Sequence, residues 1–219
     1  RIAALCKKRG ICFILDAAQG AGVLPISLND GINIICAAGH KGLYGPMGTG
    51  LMITDGKYRL NTLIEGGTGS ASTDPVQPEF MPDRFESGTI NTAGVIALGE
   101  GVKFVTEKTI SAVYEHEWRL CNYAYGELRK IRGVILYGGF SRKNAPLFSF
   151  NIRGKGSEQT AALLSDRGFC LRGGFHCAYL AHKKLGTLNT GTVRFAPSVF
   201  TEKREVKAFI SAVRKIAAG

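Results

Sequence analysis

Two nearly unbroken apolar runs, each closing on a residue with chemistry of its own, constrain this chain more than any other feature. Residues 11–15 stop at Asp16, and residues 32–38 stop at Gly39-His40-Lys41. Apolar runs of this kind read as strands of a parallel sheet covered on both faces. The residue that ends each one lies where open α/β sheets bind ligands, outside the carboxyl ends of the strands. A third run, residues 50–54, follows the glycine-rich stretch 42–50, and a short amphipathic helix, residues 1–9, leads through Gly10 into the first strand. The pattern predicts an α/β sheet.

Residues 65–91 are rich in Gly, Ser, Thr and Pro and predict a long loop of the kind kept for function. Helical spacing follows over residues 92–107 and 110–131, the second helix being long enough to join two domains. Beyond Gly133, short strands (134–137, 147–152, 169–171, 192–195) alternate with helices (158–167, around 177–185, 202–217), as in a small α+β domain. The domain boundary is expected inside the long helix, giving residues 1–120 and 121–219.

Composition narrows the function classes. The chain has 219 residues, 45% of them hydrophobic, enough for one sizeable core or two smaller ones. Its apolar stretches fall short of a membrane span, so no membrane partner is expected. The net charge of +11 comes from scattered Lys and Arg that read as solvated helix faces, without an aromatic-interleaved motif, so nucleic acid is not expected either. Six cysteines lack zinc-finger spacing and sit largely in apolar runs, which predicts a reduced, cytoplasmic protein without a metal. The chain opens at Arg1 on what reads as the end of a helix, and it is expected to start mid-domain.

Lys41 lies in AAGHKGLYGPMGTG. Closely spaced glycines let backbone approach a ligand, and a lysine partly desolvated on such a loop is suited to Schiff-base chemistry. The plain reading is a surface lysine in a glycine-rich turn. A phosphate loop is excluded, because that motif needs Gly-Lys followed by Ser or Thr and none occurs. Asp16 taken alone reads equally as a turn or helix cap.

The segments FILDAAQGAG, AAGHKGLYGPMGTG and DRFESGTINTAGVIALGEG, in that order, resemble the class V aminotransferase family of fold-type I pyridoxal-phosphate (PLP) enzymes. Within it the chain is most similar to cysteine desulfurases and selenocysteine lyases of the subgroup with a short catalytic loop. The resemblance implies the C-terminal part of a PLP-binding large domain, with a mostly parallel sheet, followed by a small α+β domain carrying the catalytic cysteine. It implies that Lys41 forms the Schiff base with PLP and that Asp16 pairs with the pyridine nitrogen. Gln19 would bond the phenolic oxygen, His40 would lie beside the phosphate, and Thr89 would reach the phosphate of the partner subunit in a homodimer. For Gln19 and Thr89 a loop cap, and for His40 simple packing, are equally open on the residues themselves. Ala38 departs from the serine that many relatives carry three residues before the lysine.

The second element is LRGGFHCAYL. Gly173, Gly174, His176 and Arg172 surround Cys177 with groups that favour an accessible thiolate, whereas Cys170, in the apolar run FCL, has the opposite surroundings. The run resembles the persulfide-forming loop of the same subgroup, with Phe175 where relatives more often carry a polar residue. Arg194, in GTVRFAPS, matches the arginine that clamps the substrate carboxylate, with Arg172 sharing that duty; a surface salt bridge is its plain reading. The implied reaction converts L-cysteine to L-alanine with a persulfide on Cys177, passed on to a sulfur-acceptor protein, or handles selenocysteine in the same way. Another class V enzyme, an aminotransferase or carbon–sulfur lyase, and a non-catalytic fragment are the rival readings. Family members are about twice as long, so residues 1–219 alone are expected to be inactive.

Overall fold

Backbone pairing follows the apolar runs. In the computed structural model, which describes all of Arg1–Gly219, β1 (Ile14–Asp16) lies parallel to β2 (Ile34–Ala38), and β3 (Gly50–Thr54) returns antiparallel along β2. The strand order is β1-β2-β3. Helix α1 (Ile2–Lys8) precedes them. Strand β1 starts three residues later than the apolar run because the Phe13 N–H donates to the Asn33 side chain (2.9 Å) rather than to a ladder carbonyl. Full coverage of the strands holds only for the central one. Ile34 and Ile35 of β2 are buried, but Ile14 of β1 and Leu51, Met52 and Ile53 of β3 are exposed, since each edge strand has a single neighbour.

The long loop is organised round a residue that its sequence did not single out. Gln77 is buried, its Nε2 donating to the Asp83 carbonyl (2.7 Å) and its Oε1 accepting from the Gly66 N–H (3.3 Å). Two 3-10 turns, Gly69–Ala71 and Asp83–Phe85, are its only regular pieces. Helix α2 (Thr92–Lys108) follows, capped by Asn91, whose Oδ1 accepts from the Gly94 N–H (3.0 Å). It ends at Thr109, which has φ 68°, and α3 (Ile110–Leu128) begins at once.

The chain divides here into two compact units, Arg1–Ile110 and Ser111–Gly219. The expected boundary at 120/121 falls well inside α3, whose Leu120, Cys121, Ala124 and Leu128 all belong to the core of the second unit. That unit holds an antiparallel sheet of β4 (Val134–Tyr137), β5 (Phe148–Ile152) and β6 (Val193–Phe195), with β5 central. Helices α4 (Ser157–Ser165), α5 (Tyr179–Leu185) and α6 (Lys203–Ala218) complete it. α6 buries Val206, Phe209, Ile210, Val213 and Ile216 along one stripe, and stacked Phe195–Phe209 (4.9 Å) and Phe148–Phe195 (5.1 Å) rings join it to the sheet. The strand expected over residues 169–171 does not form. Only the next residue, Arg172, pairs, through a single antiparallel bridge to Arg194.

Candidate active site

The turn after β1 and the loop after β2 meet backbone to backbone. Gly22 has φ 82°, and a Cβ there would overlap the Gly42 carbonyl; a Cβ at Gly42 would overlap the carbonyl of Ala21. The Lys41 loop is closed by Gly39 N–H to the Thr49 carbonyl (2.9 Å), Gly45 N–H to the Gly39 carbonyl (2.8 Å) and Tyr44 N–H to the Lys41 carbonyl (3.0 Å). Helix α2 backs it at Gly101, where a Cβ would overlap the Leu43 carbonyl, and at Leu98, which lies against Gly45. Lys41 itself is half-buried. The loop is also anchored by its side chains, with Leu43 buried and the Tyr44 ring edge-on to Phe104 (5.4 Å).

Asp16 ends β1, in register with Cys36 of β2, and its Oδ1 accepts from the Ala18 N–H (2.9 Å). The carboxylate thus shapes the turn with one oxygen and leaves Oδ2 for a ligand. Gln19 and His40 are exposed on the same two connections. The Gly22–Gly42 contact therefore brings the segment of Asp16 and Gln19 against the segment of His40 and Lys41. Thr89 stands apart. It is exposed between Gly88, which donates to the Gly66 carbonyl (3.1 Å), and the α2 cap Asn91, and it forms no hydrogen bond with the other four.

In the second unit, Arg194 N–H donates to the Arg172 carbonyl (3.0 Å), and Gly174 and Thr192 exchange two bonds (3.1 and 3.0 Å). Gly173 packs against the Ser157 carbonyl and Gly191 against Gly174 so closely that a side chain at either would collide with backbone. The chain then enters the left-handed region at two successive non-glycine residues, His176 (φ 53°) and Cys177 (φ 59°). The Nε2 of His176 lies 2.9 Å from the Arg172 carbonyl, an acceptor, so this nitrogen carries the proton. Desolvation holds the His176 pKa below its usual range, with the charges of Arg194, Arg172 and His182 acting the same way against the bond to the Arg172 carbonyl, so the ring is neutral at pH 7.

Cys177 is exposed. The pKa of Arg194 is lowered, first by desolvation and then by the neighbouring Arg172, while Cys177 raises it. The Cys177 sulfur therefore lies in the field of the Arg194 guanidinium. Cys121 is the opposite case, a buried thiol whose pKa is pushed upward by desolvation and by Glu117. The surroundings expected for Cys170 are corrected. It is exposed and lines a cavity of about 410 Å³ with Arg172 and Arg194, because its segment is not a core strand. No grouping of His, Cys, Asp and Glu forms a metal site.

Lys41 and Cys177 belong to different units. An amine on a glycine-confined loop at the carboxyl end of a parallel strand, with a carboxylate on the neighbouring strand, is the arrangement that the resemblance to a PLP-binding large domain implies. The model of the family described as aminotransferase class-V matches residues 1–209, and the chain belongs to that family, whose members depend in general on PLP. It is 31% identical over 215 residues to a probable cysteine desulfurase of Methanothermobacter thermautotrophicus, covering 95% of this chain and 54% of the relative. It is 30% identical over 224 residues to probable cysteine desulfurase 1 of Mycobacterium leprae, covering 100% and 36%. The apo structure of a cysteine desulfurase from Thermococcus onnurineus superposes with a TM-score of 0.89 at 29% identity, over 100% of this chain and 55% of that one. The cysteine desulfurase CsdA of Escherichia coli gives 0.84 at 26%, over 97% and 53%. The chain thus spans about half the length of most of these proteins. No helix is long and apolar enough to cross a membrane.

Sequence reasoning missed Gln77, the glycines of α2 and His182. Gly94 and Gly101, one heptad apart on a helix, were the available signal for a close backbone approach.

Proposed function

We propose that this chain carries the C-terminal half of a PLP-dependent cysteine desulfurase that converts L-cysteine to L-alanine and retains the sulfur as a persulfide on Cys177. The observation that carries the reading is Cys177 itself: exposed, in the field of Arg194, on a loop pinned by backbone pairing and glycine contacts. The donor set of the first unit fits the cofactor. Lys41 Nζ would hold it covalently, the open Oδ2 of Asp16 would keep a proton on the pyridine nitrogen, and Gln19 would donate to the phenolic oxygen. His40 and Thr89 would bind phosphate, Thr89 that of a partner subunit in a homodimer. Bound there, PLP supplies an electron sink for the substrate Cα.

Arg194, with Arg172, orients the substrate by its carboxylate, for which the guanidinium fork is matched. The free amine of Lys41 takes the Cα proton. The Cys177 thiolate attacks the substrate sulfur: the S–S bond forms, the substrate C–S bond breaks, and its electron pair stays with the carbon skeleton, which gains at Cβ the proton lost by the substrate thiol and regains the Cα proton from Lys41 to become alanine. A sulfur-acceptor protein then takes the terminal sulfur, and selenocysteine would react in the same way.

Two measurements on the full-length protein test this. Borohydride should fix the cofactor to Lys41, and Cys177→Ala should abolish persulfide formation from L-cysteine while keeping the bound-cofactor absorbance. Undiminished persulfide in Cys177→Ala would make the cysteine incidental and the protein another kind of class V enzyme.

A further inference from the structure

The paired left-handed residues at the reactive cysteine need something to hold them. Non-glycine residues in that region cost about 1 kcal/mol or more each, and they persist where their surroundings over-determine them. Upstream the loop is fixed by the Gly174–Thr192 pair and by His176 on the Arg172 carbonyl. Downstream the chain turns directly into α5, whose His182 N–H donates to the carbonyl of Ala178, the residue after Cys177 (3.1 Å).

That turn carries the His182 ring back beneath the loop. His182 is only 4% exposed. Its ring meets Phe175 edge to face (centroids 5.3 Å, 84°) and lies 5.9 Å from the His176 ring. The ring is in turn fixed from behind: Nδ1 lies 2.8 Å from Oγ1 of Thr187, itself buried, and the Thr187 N–H donates to the His182 carbonyl (2.9 Å). A purely apolar filler would pack there without a hydrogen-bonded partner. A buried imidazole held by a buried hydroxyl instead gives a single ring orientation against both residues that precede Cys177.

We propose that His182, locked by Thr187, is a positioning residue that holds the Cys177 loop in its left-handed conformation. The proposal rests on the reading of Cys177 as the sulfur-accepting thiol. Without the ring, Phe175 and His176 lose their floor, and Cys177 relaxes toward negative φ. The charged and titratable groups around the loop are Arg172, Arg194, His176 and His182, together with Glu158, whose Oε1 would lie 4.0 Å from a Cβ at Gly174.

The test uses the full-length holoprotein with His182→Ala, His182→Phe and Thr187→Val, the last keeping side-chain volume. For each, iodoacetamide alkylation of Cys177 is followed at fixed pH, and kcat and KM for L-cysteine are measured. In His182→Ala the rate of Cys177 alkylation at fixed pH should fall about tenfold and kcat should fall about tenfold, with KM within about twofold and the cofactor absorbance unchanged. His182→Phe and Thr187→Val should move both readouts in the same direction, by roughly threefold in kcat. A wild-type alkylation rate together with a wild-type kcat in both Thr187→Val and His182→Phe would overturn the proposal, even if His182→Ala failed to fold. A slowed alkylation in a protein that releases no alanine would leave the positioning role standing and overturn the desulfurase reading instead.

Discussion

The two units hold their reactive residues by opposite means. In the first, the Lys41 loop rests on a small core: Ala17, Ile32 and Ile35 form one buried cluster, Leu43 of the loop and Leu98 and Val105 of α2 are buried, and several apolar side chains of β1 and β3 are exposed. Its geometry comes from glycines that let backbones touch, Gly22 on Gly42 and Gly101 on Leu43. In the second, an aromatic core of Phe148, Phe150, Phe195 and Phe209 supports a sheet to which the Cys177 loop is paired, and the loop carries two successive non-glycine residues at positive φ, where the Lys41 loop carries one, Tyr44 (φ 55°). A loop on a small core uses glycine to come close to its neighbours. A loop above a firm core can carry backbone strain at the residue that reacts.

Substitutions should act on one unit without the other. The largest effect is on chemistry: Lys41→Ala in the full-length protein should lower alanine release by at least about 10³-fold while leaving the alkylation rate of Cys177 as it was. A parallel loss of thiol reactivity would mean that the loops depend on each other. Next comes the aromatic core. Phe150 is fully buried, and Phe150→Ala should cost about 3–5 kcal/mol and speed hydrogen exchange in β4–β6 but not in β1–β3.

Gly42→Ala should cost up to about 3 kcal/mol, because the new methyl meets the Ala21 carbonyl, and should perturb exchange in the first unit alone. A smaller, pH-dependent effect is expected at Glu117, buried on α3, where desolvation raises the carboxyl from an ordinary 4.5 to about 7. The folded state holds the proton more tightly than the unfolded one, so stability is greatest below pH 4.5, falls as pH rises to about 7, and is level above. Glu117→Gln should therefore stabilise the second unit by about 2 kcal/mol at pH 8 and by little at pH 4, read from urea unfolding.

Much of this was legible from residue types. Apolar runs located all six strands, two of them, β3 and β4, to the residue, and strand ends placed Asp16 and Lys41 on neighbouring connections. What stayed hidden has physical reasons. β1 is shortened because a side chain, Asn33, takes a backbone donor of the run. The run Phe169-Cys170-Leu171 has strand composition but lacks a ladder partner, which leaves Cys170 exposed. Thr109 separates α2 from α3 by a positive φ that no glycine announces, so the unit boundary came earlier than helix length implied. The same holds for His176 and Cys177, whose strain depends on His182 and Thr187, residues beyond any local motif.

The two exposed cysteines near the arginines allow the most direct test of where the chemistry lies. After the full-length protein is loaded with PLP and given L-cysteine, peptide mass spectrometry should find one added sulfur atom on Cys177 and none on Cys170. Sulfur on Cys170, or on neither residue, would contradict the assignment of Cys177 as the acceptor on which this account rests.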